Sequence, residues 1–193
     1  MARAAKAHAW ALVVLACITW PVSGRAGDGA AADLAAILGR RSPEALDARF
    51  RQTKRIALLR DPLVSSGRVR FEPPDGMRWE VVSPEPLVVD TRDGVVRAGP
   101  PGALEEVPEG LVGALPGGFS GVFGATTADI AAAFDVARAA DRKPGAFRLT
   151  PNEPAMARLL ERIDLELAPE TGLPRRVVLY EAGGDSSEIE IFP

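Results

Sequence analysis

The sequence predicts a mainly β protein with a few short helices (α+β), built as one large curved antiparallel sheet that the helices cover. Three observations predict it. Apolar and polar residues alternate with a period of two along most of the chain after Ala48. Turn sequences such as Pro73-Pro74-Asp75-Gly76, Arg92-Asp93-Gly94 and Ala182-Gly183-Gly184-Asp185 punctuate the alternating runs. The strands are joined locally by these tight turns, and strands joined in that way must be antiparallel.

Taken in order, Ala30 to Leu38 reads as a short helix with Leu34, Ile37 and Leu38 on one side and Gly39 past its end. Ser42-Pro43-Glu44 offers an N-cap, a first-turn proline and an early acid, which predicts a second brief helix. From Ala48 the period becomes two, with Phe50, Gln52 and Lys54 on one face and Arg49, Arg51 and Thr53 on the other. Gly67, Val69 and Phe71 then alternate with Arg68, Arg70 and Glu72, and Met77, Trp79 and Val81 with Arg78 and Glu80. Ser83-Pro84-Glu85-Pro86 breaks the pattern before strands at Leu87 to Thr91 and Val95 to Ala98. Ala125 to Ala133 reads as a helix capped by Thr126 or Thr127. Strands follow at Phe134 to Ala140 and Ala146 to Thr150, then a helical turn within Glu153 to Leu160. Ile163, Leu165 and Leu167 alternate with Asp164 and Glu166, and strands at Pro174 to Glu181 and Ser187 to Phe192 complete a set of eight to ten.

The segment Leu104 to Phe123 departs from this grammar. It carries almost no charge after Glu109 and sets Leu111, Leu115, Phe119 and Phe123 at four-residue spacing among Gly117, Gly118 and Gly121. Glycine weakens helical turns by about 1 kcal/mol each relative to alanine, so short, movable pieces lying over a sheet face are expected, acting either as a lid or as plain core cover. A curved sheet closed only by such a flap can leave an apolar hollow that accepts an acyl chain, although a filled core would give the same pattern. The alternating face of Phe50, Val69, Phe71, Met77, Trp79 and Val89 is the expected lining.

The 193 residues include 23 Lys+Arg and 26 Asp+Glu, net −3, with 47% hydrophobic and 25% charged residues, which is the balance of a chain able to bury one core. The N-terminus reads as a secretory signal peptide: Arg3 and Lys6, then the apolar run Ala9 to Trp20, then Pro21 and small residues, with cleavage expected after Gly24 or Ala26. That leaves 25–193 as a single domain, located in the periplasm. Two other readings of the segment stand beside it. Val14-Leu15-Ala16-Cys17 loosely matches a lipoprotein acylation site, though the apolar run continues past Cys17, and a buried N-terminal helix is the other.

His8 and Cys17 are the single histidine and cysteine. Once they are removed, the chain cannot assemble a Ser-His-Asp or Cys-His site or an ordinary zinc site. Gly117-Gly118-Phe119-Ser120-Gly121 fails the GxSxG spacing, and no phosphate-binding glycine motif is present. Glu105-Glu106 and Glu188/Glu190 read as solvated acids. The expectation is a protein that is not an enzyme and uses no cofactor or metal.

Phe50-Arg51-Gln52-Thr53, Gly67-Arg68-Val69-Arg70-Phe71, and Pro74 with Met77-Arg78-Trp79-Glu80 resemble the strands that open the periplasmic outer-membrane lipoprotein carrier family, LolA. The resemblance continues through Ser83-Pro84, Asp93-Gly94, Phe147-Arg148-Leu149-Thr150-Pro151 and Gly172-Leu173-Pro174. It implies an unclosed β-barrel of about eleven strands with its mouth covered by helices. It also implies a monomeric, chaperone-like carrier that takes lipoprotein acyl chains from an inner-membrane release complex and delivers them to an outer-membrane acceptor lipoprotein. The family's lid-latching arginine, just before the proline that ends its second strand, is replaced here by Glu72-Pro73-Pro74, and proline offers no donor to lid carbonyls. Arg70 or Arg78 would be its substitutes. The aromatic residues that usually follow the Asp-Gly turn are replaced by Val95-Val96-Arg97, so a different acyl-lipid or glycolipid cargo, or an envelope sensor on the same fold, stand as alternatives to lipoprotein carriage.

Charge is uneven: residues 40–80 carry ten bases and six acids, net +4, and residues 81–193 carry ten bases and eighteen acids, net −8. Arg40, Arg41, Arg49, Arg51, Lys54 and Arg55 either dock an acidic partner or lipid headgroups or form a solvated strand face. An exported acidic protein is not expected to bind nucleic acid. Mass spectrometry of the exported protein is expected to find an unmodified N-terminus at Arg25 or Gly27; a diacylated Cys17 would overturn that assignment.

Overall fold

The computed structural model describes residues 29–40, 46–72, 76–108, 127–140 and 143–192. Its frame is one eleven-stranded antiparallel sheet. The strands are β1 (Leu46–Arg55), β2 (Leu63–Glu72), β3 (Gly76–Ser83), β4 (Leu87–Arg92), β5 (Val95–Gly99), β6 (Glu105–Glu106), β7 (Phe134–Arg138), β8 (Ala146–Pro151), β9 (Leu160–Leu167), β10 (Pro174–Glu181) and β11 (Ser186–Phe192). Their order across the sheet is β6-β5-β4-β3-β2-β1-β11-β10-β9-β8-β7, so the first and last long strands pair at its centre and, among the described residues, β6 and β7 are its outermost strands. The sheet is therefore not closed. Among the described residues three helices accompany it: α1 (Ala30–Leu38), α2 (Thr127–Ala133) and the single turn α3 (Pro154–Ala157).

The local chemistry explains most boundaries. Leu34, Ile37 and Leu38 bury one side of α1, as their spacing predicts, and Gly39 follows its end. Asp93 (φ 52°) and Gly94 (φ 73°) take consecutive left-handed conformations, which makes the two-residue turn whose twist suits β4 and β5. Two expectations need correction, and a third lies outside the described residues. The strand predicted from Ala48 begins at Leu46, because Leu46 and Asp47 already pair with Phe71 and Arg70. The helix expected at Ser42-Pro43-Glu44 falls in residues 41–45, outside the described residues. The strand count is eleven rather than eight to ten, because Glu105 and Glu106 pair with Ala98 and Arg97 at the sheet edge. Those two acids are exposed.

Apolar side chains gather on one face in two clusters. In the first, Leu34, Ile37 and Leu38 of α1 and Ile130 of α2 pack on Phe147, Leu149, Ile163, Leu165, Leu167 and Val177. The second contains Ala48, Phe50, Val69, Met77, Trp79, Val81, Val89, Ile189 and Ile191, all from strands. Between the strands of this second cluster lies a close backbone contact. Gly67 of β2 sits beside a bulge at Ser66/Gly67, and a Cβ built there would lie 1.8 Å from the Glu80 carbonyl oxygen of β3. Only glycine permits that approach. Gly67→Ala is expected to destabilise the protein by about 1–3 kcal/mol, the range for forced overpacking, read as a lower urea midpoint with an unchanged m-value.

Candidate functional site

Strand alternation separates the two faces of the sheet chemically. The outer face carries a cross-strand lattice of ion pairs, some between residues directly opposite in register, such as Arg148 and Asp164, and others diagonal to it, such as Arg176 and Glu188. Arg148 pairs with Asp164 (2.9 Å), and Arg176 bridges Glu166 (3.0 Å) and Glu188 (2.7 Å), with Arg55 also on Glu188 (3.5 Å). Arg162 lies over the Tyr180 ring at 3.6 Å. Towards the other edge Asp47 holds Arg68 and Arg70, Arg78 holds Asp90, and Arg92 holds Glu72. A cleft among Arg70, Glu72, Arg78, Asp90 and Arg92 is on this face, with each arginine engaged by a carboxylate. The hydrogen bond from Arg68 holds the Asp47 carboxyl below the usual aspartate range, and the one from Arg176 does the same for Glu188, in each case against a smaller opposing effect of burial. This face is a matched, solvated surface.

The inner face of β1 to β4 and β11 is the candidate ligand site. All six residues expected to line it are brought together there. Phe50, Val69, Met77, Trp79 and Val89 are buried members of the strand-only cluster, and Phe71 packs on its margin half-buried. Phe50 and Trp79 stand on strands separated by β2, yet their rings stack at 3.7 Å between centroids and 25° between planes. The reason is local: Phe50 is opposite Gly67 in register, and that residue has no side chain to stand between the two rings. Val69 and Trp79 are 0% exposed. A ligand therefore reaches them only by separating side chains that now touch one another.

Sequence reasoning left out Ala48, Val81, Ile189 and Ile191 as site residues, and also the polar margin above the aromatic pair. Ile189 and Ile191 were legible from their alternation with Glu188 and Glu190. The polar margin consists of buried Gln52 and Ser187, with Ser65 Oγ donating to Gln52 Oε1 at 3.5 Å, and beyond them Lys54 pairs with Glu181 at 3.3 Å. Along β1 the inner face thus changes from apolar (Ala48, Phe50) to polar (Gln52) to charged (Lys54), an amphipathic gradient aligned with the strand.

Arg70 and Arg78, expected as substitutes for a latch arginine, are on the outer face. Each is adjacent in sequence to inner-face residues (Val69 and Phe71; Met77 and Trp79), so the pleat directs it outward, where Asp47 and Asp90 hold it. The expected lid residues Leu111, Leu115, Phe119 and Phe123 lie outside the described residues, as does the N-terminal segment 1–28. Among the described residues no cluster of His, Cys, Asp and Glu has the arrangement of a metal site, and no helix is long and apolar enough to cross a membrane.

Residues 41–193 match the sequence profile of the family described as outer membrane lipoprotein carrier protein LolA. Among solved structures, the chain is similar to the LolA superfamily protein NE2245 from Nitrosomonas europaea (TM-score 0.50, 10% identity, covering 85% of this chain and 91% of that one). It is also similar to MucB (TM-score 0.51, 15% identity), covering 86% of this chain and 58% of that one, so MucB is much the longer molecule. At these identities the likeness is one of fold. No curated protein matches the chain. The mainly β, unclosed architecture expected from the sequence and its resemblance to the carrier family are both confirmed.

The outer-face lattice has a pH signature. Glu188 titrates below its ordinary value of 4.5 in the folded protein, so its ion pairs contribute stability that is present above about pH 4.5 and is lost as pH falls through the lower folded value. Glu188→Gln is expected to be less stable at neutral pH and to show a shallower loss of stability between pH 4.5 and the acid transition, measured by urea titrations across that range.

Proposed function

The chain belongs to the outer membrane lipoprotein carrier protein LolA family, and from that premise we propose that it is a periplasmic carrier that shields lipoprotein acyl chains against the inner face of β1 to β4 and β11. The observation that supports this reading most directly is the strand-only apolar cluster centred on the Phe50–Trp79 stack, to which no described helix contributes. Saturated chains are recognised by area rather than by hydrogen bonds, at about 25 cal/mol per Å² buried. A continuous face of Phe50, Val69, Phe71, Met77, Trp79 and Val89 offers that area without directional demands. Carriage also requires reversibility, and contact with such a face can be made and unmade with no bond-making step.

In this proposal the polar margin has a second task. Gln52, Ser65 and Ser187 stand where an acyl chain would meet its polar linkage, and the Lys54–Glu181 pair stands beyond them at the level of a headgroup. Leu111, Leu115, Phe119 and Phe123 are proposed to close over the loaded face. With Arg70 and Arg78 turned outward, closure would rest mainly on apolar contact. The cargo would come from an inner-membrane release complex and go to an outer-membrane acceptor.

Native mass spectrometry of the protein taken from the periplasm is expected to show a co-purified diacyl or triacyl species. Phe71→Asp, at the half-buried margin where a charge can remain hydrated, and Trp79→Glu are each expected to lower lipid occupancy by about tenfold or more. A Phe71→Asp protein that keeps its circular dichroism and binds lipid unchanged would show that this face does not hold the cargo. Lipid that is held and never passed to an acceptor would point to a sensor instead of a carrier.

A further inference from the structure

The antiparallel topology brings to one end of the sheet the β1–β2 connection, the end of β3, the start of β9 and the β10–β11 turn. That end carries an unusual concentration of uncovered apolar side chains. Leu58 is 94% exposed, and Leu59, Leu63 and Val64 on the same hairpin are also exposed, together with Val82 and Leu159. Of the large hydrophobic residues exposed among the described residues, only Phe192 lies at the opposite end. The β1–β2 connection is not a frayed segment. Leu59 N–H donates to the Ile56 carbonyl at 2.9 Å, and Ala57 N–H donates to Asp185 Oδ1 of the β10–β11 turn at 2.8 Å. The fold thus fixes a leucine pair outward into solvent at a cost in hydration that packing does not recover.

We propose that this hairpin tip is a membrane-docking element whose Leu58 and Leu59 enter the interfacial layer of a phospholipid bilayer. The shape favours a bilayer over a protein groove: Leu58 stands as an isolated projection with almost no neighbours, which suits insertion into a fluid layer. The flanking charges agree. Lys54, Arg55 and Arg60 against Asp61 give the hairpin a local charge of +2 (three bases, one acid), and long cationic side chains beside an apolar tip can keep their heads at the phosphate level while their stems lie along acyl chains. Lys54 and Arg55 also face Glu181 and Glu188, and Asp185 anchors the loop base, so the tip is only mildly basic. Apolar insertion is therefore the main attraction, with a smaller contribution from anionic lipid.

Docking at this end would place the bilayer beyond the charged end of the inner-face gradient, because β1 runs continuously from Phe50 through Gln52 and Lys54 to the hairpin. The docking itself does not depend on which cargo the inner face holds. The test uses the exported chain, residues 25–193, whose sequence holds no cysteine of its own, with an environment-sensitive fluorophore on Leu58→Cys or, at the opposite end, on exposed Thr171→Cys. With vesicles of phosphatidylethanolamine and phosphatidylglycerol, the probe at 58 is expected to shift to the blue and to be quenched by lipids brominated on their acyl chains, while the probe at 171 is unchanged. Unlabelled Leu58→Asp is expected to lower vesicle flotation by about tenfold with the fold intact. Arg60→Glu is expected to weaken flotation on anionic vesicles only. A probe at 58 that stays water-exposed at saturating lipid, that responds no more than the probe at 171, or that responds only to an added protein would overturn the proposal. Retained cargo binding in Leu58→Asp separates its failure from failure of the carrier function.

Discussion

The close approach of β2 and β3 at Gly67 is the constraint on which the candidate site depends. No side chain fits between that Cα and the Glu80 carbonyl, so β2 contributes no side chain at this position. Phe50 and Trp79, from the strands on either side of β2, meet and stack. Val69, paired with Trp79 across the next register position, and Ile189, paired with Gln52, complete the floor around them. A single missing methyl group thereby lets two strands that are not neighbours share one aromatic contact and gives the site its deepest point.

The same alternation that builds this face determines what the other face can do. Every second residue of β2, β3, β9, β10 and β11 points outward, and many of these positions hold arginines and carboxylates that pair across strands, either in register or diagonally. Such pairs are individually worth little where solvent reaches them. Their arrangement keeps a wide sheet soluble on one side and commits the apolar side to whatever lies over it. It also turns Arg70 and Arg78 away from the inner face, which a residue at either position cannot reach without slipping the strand by one position and turning Val69, Phe71, Met77 and Trp79 outward.

Much of this was legible in the sequence because β structure has a period of two. The grouping of Phe50, Val69, Phe71, Met77, Trp79 and Val89 follows from parity within each strand, and the helix Ala30–Leu38 follows from its apolar spacing and trailing glycine. The edge strand Glu105–Glu106 was not legible, since two acids have no pattern of their own and are recruited only by pairing with Arg97 and Ala98. The hairpin tip around Leu58 was missed for a related reason. Ile56 to Val64 show no clean periodicity, and nothing in a leucine pair says whether it faces a core or water.

What the sequence by itself determined is the antiparallel sheet, the side chains that share a face within each strand, the polar coating of the opposite face and the likeness to the LolA family, because each depends on neighbours a few residues apart. What only the tertiary structure decided is which strands meet: β1 with β11, Phe50 with Trp79 across Gly67, and the exposed leucines gathered at one end with their loop tied to Asp185. Those contacts join residues far apart in the chain, and their geometry is determined by backbone approach and sheet order, to which local periodicity is blind.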